Sequence, residues 1–193
     1  AGGGASFLLQ HVEQSFRNLQ LDLSVFETFT LCIGRDFLAC DQLIRTNPNT
    51  ILLPCPSTLL ATVKPQLLKV TKSQKNVFQH NLRSDRIAPF VAEDFLLIYE
   101  QLCAQHERNG YGAIPWMADV SNQPVSTPGD VLLALARTER YFSSRVHASI
   151  PCHALGAQGE LFAVDSRAMT AMHVGVPICG PYADRFRICF ADA

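Results

Sequence analysis

Between residues 25 and 103, short runs of β-branched and aromatic side chains alternate with segments of helical spacing, which restricts the fold more than any other feature. Val25–Ile33, with Phe26, Thr28, Phe29, Thr30 and Ile33, predicts a strand. Gly34 follows, and Arg35–Arg45 carries Phe37, Leu38, Leu43 and Ile44 on one helical face, stopped by Asn47-Pro48-Asn49. Thr50–Leu53 predicts a second strand, Ser57–Ala61 a helical turn and Leu67–Thr71 a third strand. Ser73 is placed to cap a helix over Gln74–Leu82, with Val77 and Phe78 facing inward. Ile87–Val91 predicts a strand at a sheet edge or end, because it contains Pro89, and Glu93–Cys103 a further helix. The order β-α-β-β-α-β-α implies an α/β fold, a small and largely parallel sheet flanked by helices.

The flanking regions are less regular. Residues 1–24 hold the start of the chain and an amphipathic helix predicted over Phe7–Leu19. Ala1–Ser6 has neither a basic stretch nor a long apolar one, so it reads as an expression scar or the start of a fragment, not a signal peptide. Gln105–Pro128 is polar and broken by Gly110, Gly112, Pro115 and Pro124, and reads as a linker or long loop. Thr127 or Asp130 opens a helix running to about Ser144. Beyond it, Val146–Ile150, Glu160–Val164, Met172–Ile178 and Arg185–Phe190 predict strands. Three regions follow: 1–24, a core domain over 25–103, and an α+β extension over 104–193 that covers an edge of that domain or extends its sheet.

At 48% hydrophobic and 17% charged residues, with mean hydropathy +0.10, the chain has enough apolar material for a core, which excludes wholesale disorder. No window approaches the ~20 apolar residues of a membrane span, and no membrane partner is expected. Seven scattered cysteines without a C-x-x-C pair exclude a zinc ribbon and predict buried free thiols in a reducing, intracellular setting. His147, Cys152 and His153 lie close together in sequence without ordinary zinc spacing, and no cofactor or metal is expected.

A net charge of −1 argues against a polyanion partner, but the total conceals an uneven distribution. Residues 1–63 carry −2, residues 64–103 carry +2 and residues 104–193 carry −1. All four lysines fall within Lys64–Lys75, the one window that favours an anion.

Three stretches carry a family resemblance. They are Phe29-Thr30-Leu31-Cys32-Ile33-Gly34, then Leu67-Leu68-Lys69-Val70-Thr71-Lys72 with Lys75 beyond it, and Ile87 to Leu97. Together with the strand–helix order they resemble a BRCT domain, the phosphopeptide- and scaffold-binding module of DNA-damage and chromosome-maintenance proteins. Within that family the chain also resembles the BRCT region of a kinetoplastid kinetochore protein. Phe95 stands where the family usually has Trp, and Asn47-Pro48-Asn49 where it usually has a glycine pair.

The resemblance implies a non-enzymatic interaction module in a nuclear, chromosome-associated scaffold, with a phosphorylated protein or peptide as partner. It matches Gly34 to the turn glycine and Lys75 to the helix lysine of a phosphate cradle. Ile33 stands at the usual hydroxyl position and donates nothing, so Arg35, Thr71 and Lys72 are the candidates to complete the set. Two alternatives stay open. One is phosphate-independent binding, including weak DNA-backbone contact through Lys64–Lys75 that modest salt abolishes. The other is a cysteine hydrolase pairing Cys40 with His173, disfavoured because Cys40 lies inside a predicted helix and not at its N-terminus.

Overall fold

The short apolar runs form strands, and every strand pair is parallel. The computed structural model describes residues 2–3, 23–79, 82–83, 91–115 and 127–184. A small sheet joins β1 (Gly2–Gly3), β2 (Cys32–Gly34) and β3 (Thr50–Leu52), in that order. Helix α1 (Phe37–Ile44) links β2 to β3 and begins at Asp36, whose buried carboxylate accepts the Ala39 N–H at 2.8 Å. Asn47 ends this unit. Its amide donates to the Phe26 and Phe29 carbonyls at 2.9 and 2.7 Å, pinning the Ser24–Thr28 3-10 turn beneath the sheet.

The larger sheet holds β4 (Gln74–Gln79), β5 (Gly112–Pro115), β6 (Thr138–Ser143), β7 (Gln158–Phe162) and β8 (Ile178–Cys179), in the order β5-β4-β6-β7-β8. Between them run α3 (Glu93–Arg108), α4 (Pro128–Arg137), α5 (Val146–Ala154) and α6 (Ala168–His173); α2 (Leu60–Val63) lies earlier, between two 3-10 turns. Successive strand residues face opposite ways. Val77 and Phe142 join Phe95, Leu96 and Tyr99 of α3 on one face, while Phe78 and Tyr141 join Leu135 of α4 and Ala148 and Cys152 of α5 on the other. A third cluster gathers Ile150, Leu161, Met169 and Val176, and Phe37 packs on it, fastening the α1 unit to the larger sheet.

The α/β class with a parallel sheet flanked by helices is thus present, but several elements differ from expectation. Gln74–Leu82 is a strand up to Gln79, not a helix. β4 sits between β5 and β6, so Asn76, Val77 and Phe78 are all buried and show no alternation to distinguish them from a helix segment. Leu67–Thr71 is not a strand. Pro65 opens a 3-10 turn over Pro65–Lys69, its fixed φ and missing N–H suiting the first position. Val146–Ile150 and Met172–His173 lie in helices α5 and α6, not strands. The helix opened by Thr127 ends at Arg137, and the chain passes directly into β6. Val25–Ile33 is strand only in its last two residues.

The expected boundary at 103/104 falls inside α3, and Gly112–Pro115 makes a strand within the expected linker. Residues beyond 104 supply β5 to β8, four of the five strands of the larger sheet, which is separate from the sheet that holds β2 and β3. The predicted Phe7–Leu19 helix, the Arg185–Phe190 strand and residues 87–90 of the Ile87–Val91 strand lie outside the described residues.

Candidate anion-binding crevice

Because the five strands are parallel, their carboxyl ends share one edge of the sheet. Counted within the sheet, the strand order is 2-1-3-4-5, so consecutive connections diverge between β4 and β6. Such a switch point opens a crevice outside the carboxyl ends, the usual ligand position in doubly wound sheets. Among the described residues, Gln79 at the end of β4 and the segments after β6 and β7 lie at this edge.

The β6–α5 connection is a tight turn, Ser143-Ser144-Arg145. The Ser143 hydroxyl accepts the Arg145 N–H at 2.8 Å and donates to the Arg145 carbonyl at 3.0 Å, which also accepts the Ser149 hydroxyl at 3.0 Å. The Arg145 Nε reaches back across the switch point to the Gln79 carbonyl at the end of β4 (3.0 Å). Tyr99 of α3 shares a 2.9 Å hydrogen bond with the Ser144 hydroxyl. The turn is therefore laced to both diverging strands, and α5 begins there with His147 exposed in its first turn.

From the end of β7 come Asp165 and Arg167. The buried carboxylate of Asp165 accepts the Arg167 Nε at 3.0 and 2.9 Å, its Nη2 at 2.5 Å and its backbone N–H at 2.9 Å. This fork holds the guanidinium in place and raises its pKa further. The α1 unit contributes Arg35. Gly34 before it is required by close approach, since a Cβ there would fall on the Cys40 Sγ and lie 3.0 Å from the Cys40 nitrogen. Phe37 then seats α1 beside α5 and α6, packing on a cluster that takes in Val146 and Met172, with its ring edge-on to His173 at 5.6 Å.

Among the described residues, two guanidiniums and one carboxylate act on His147. The His147 pKa lies below its ordinary value, first because the ring is partly desolvated, then because the Arg167 and Arg35 guanidiniums repel its proton; only Asp165 opposes them. Asp165 is already committed to Arg167, whereas the Arg35 Nε is buried with no hydrogen-bond partner. A buried cationic donor without an acceptor costs free energy that an anion would recover.

The five residues proposed from the sequence do not form one cradle. Gly34 and Arg35 lie at the carboxyl edge. Thr71, Lys72 and Lys75 lie at the amino end of β4, whose six residues span about 17 Å. Thr71 is exposed; the Lys72 ammonium donates to the Leu155 carbonyl at 2.5 Å, and burial lowers its pKa. Lys75 is an exposed strand residue opposite Arg140, not the start of a helix, because β4 is a strand.

The sequence reading missed Arg145, Asp165 and Arg167 altogether and weighed His147 only as a metal neighbour. The signal available was short, the pair Tyr141-Phe142 followed by Ser143-Ser144 and then Arg145 and His147, a strand-to-helix turn by composition. The Cys40 thiol donates to the Ile51 carbonyl at 3.6 Å, and burial raises its pKa, which disfavours a thiolate. Cys152 is pushed up to about 12 by burial. Among the described residues, no three His, Cys, Asp or Glu side chains converge to hold a metal. No family model, curated protein or solved structure matches this chain.

Proposed function

We propose that this chain binds a phosphorylated small molecule in the carboxyl-edge crevice, with Arg35 and His147 meeting its charge. Arg145 and the Asp165–Arg167 fork hold the walls. One observation carries the reading: the Arg35 Nε stands unpartnered beside His147, with the Arg167 guanidinium also close to that ring, at the carboxyl edge of a doubly wound sheet. Phosphate recognition, which the sequence suggested, is kept, but Thr71, Lys72 and Lys75 leave the site. A phosphorylated peptide offers the same dianion on a longer chain, so it belongs in the same experiment.

Calorimetric titration with pyrophosphate, a nucleoside diphosphate and a matched pair of phosphorylated and unphosphorylated peptides tests this. The small phosphates are expected to bind, and Arg35→Ala to weaken them at least tenfold, because a hydrogen bond to a charged group contributes about 1.5–3 kcal/mol. Lys75→Ala is expected to leave affinity unchanged. Loss of binding in Lys75→Ala with retention in Arg35→Ala would overturn the assignment. Binding of the phosphorylated peptide alone would return the chain to the interaction-module reading.

A further inference from the structure

We infer that a ridge made by Leu59, Val63 and Leu68 docks on an anionic lipid surface. The ridge lies on the helical segment 56–69, formed by a 3-10 turn at Pro56–Leu59, α2, and the turn at Pro65–Lys69. This segment is apolar on two sides. Leu60, Ala61, Leu67 and Val70 face inward and pack on the cluster containing Phe78, Tyr141 and Leu155. Leu59, Val63 and Leu68 face outward and are 55%, 68% and 50% exposed. Single exposed apolar residues are ordinary, but here Leu59 and Val63 stand one helical turn apart, and Leu68 follows in the 3-10 turn beyond the break at Lys64. With half or more of their area in water, these side chains are not enclosed by walls of the chain's own, which favours a partner they can enter.

The charge around the ridge narrows that partner. Lys64 and Lys69 are exposed beside the apolar residues, and the sequence from Gln42 to Ser84 contains no Asp or Glu to neutralise them. Asp130, on the neighbouring α4, is bound into its own helix cap with Thr127. Lys72 is left out of the count because its ammonium is held by the Leu155 carbonyl. A two-fold pairing of ridges would gather Lys64 and Lys69 of both copies round one seam, with no Asp or Glu between Gln42 and Ser84 to offset them, which opposes self-association. An acidic amphipathic peptide needs a groove, which a protruding ridge does not supply. A bilayer interface satisfies both features: leucine and valine enter the acyl boundary while lysine stems extend their charges to lipid phosphates. The contact is superficial, since no helix of the described residues is long and apolar enough to cross a membrane. The ridge is hidden in the sequence because Leu67–Thr71 reads as a strand there, which separates Leu68 from Val63.

Co-sedimentation of the whole chain with phosphatidylcholine vesicles, with and without phosphatidylserine, tests the assignment. Binding is expected only with phosphatidylserine at low salt. Lys64→Gln and Lys69→Gln are each expected to lower it about fivefold. Val63→Asp and Leu68→Asp are expected to abolish it while leaving the melting temperature and circular dichroism unchanged, because both side chains are already solvated. Failure to sediment with phosphatidylserine vesicles at low salt overturns the proposal, as does binding that survives Val63→Asp. A vesicle-free dimer on gel filtration that Val63→Asp dissolves would assign the ridge to a second copy and overturn the lipid reading.

Discussion

Two buried polar atoms, one on β6 and one on α3, carry predictions about stability. The Tyr141 hydroxyl is buried between the sheet and α5 without a hydrogen-bond partner, and burial drives its pKa up. An unsatisfied buried hydroxyl costs about 1–3 kcal/mol, and its removal in place is neutral or stabilising. Tyr141→Phe is therefore expected to raise the free energy of unfolding by about 1 kcal/mol in urea melts, where most substitutions lower it. His106 is the counterpart. Its ring stacks on Phe142 at 4.4 Å, meets Tyr111 edge-on at 4.8 Å, and keeps Nδ1 buried without a partner. Burial lowers its pKa, against a weaker pull from Glu160. As pH falls through the unfolded value of about 6.5, the unfolded chain takes up a proton that the folded chain refuses. Stability present above that pH is lost below it, by at most about 1.4 kcal/mol per pH unit per ring, until the folded pKa is reached. His147 shifts the same way, so the comparison needs His106→Phe, which keeps the stack and should flatten part of the slope between pH 6.5 and 5.

At the scale of elements, α4 is the helix most plainly written in the chain. Thr127 accepts the Asp130 N–H at 3.2 Å while the Asp130 carboxylate accepts the Thr127 N–H at 2.9 Å, and Pro128 occupies the first turn. Thr127→Ala is expected to cost about 1 kcal/mol in thermal or urea unfolding. This signal, like Asp36 before α1 and Asn47 after it, acts within a few residues, and such local chemistry is what the sequence displays. β4, α5 and α6 were misread because their states depend on distant partners. Asn76-Val77-Phe78 is a strand only because β5 and β6 flank it. Val146–Ile150 is β-branched at Val146 and Ile150, yet Ser143 and Ser149 bond the Arg145 carbonyl and start a helix that continues through Pro151. The crevice was half legible for the same reason. Gly34-Arg35 announced a turn, but its neighbours Arg145, His147 and Arg167 arrive from 110 or more residues away through sheet order, which no spacing encodes.

The whole molecule joins two sheets, and the crevice draws on both. Arg35 belongs to the small sheet, while His147, Asp165 and Arg167 belong to the large one, and Phe37 is the packing contact that brings them together. Anion affinity should therefore depend on a residue that never meets the anion. Phe37→Ala removes a half-buried ring from the cluster around Ile150 and Met169, and is expected to cost about 2–3 kcal/mol of stability, below the range of a fully buried phenylalanine. If the ring only contributes to stability, variant protein kept well below its melting temperature binds phosphate normally. If the ring holds Arg35 over the crevice, affinity falls nearly as far as in Arg35→Ala, and the double variant loses little more than either single one, since the two changes remove the same interaction. Ligand charge should also draw a proton onto His147, whose pKa partial burial and then the two guanidiniums hold down. Affinity is then expected to rise as pH falls from about 7.5 toward 6, with calorimetry showing proton uptake on binding, and His147→Ala should abolish that uptake. In Phe37→Ala the linkage persists but weakens, because Arg35 no longer sits close enough to hold the His147 pKa down.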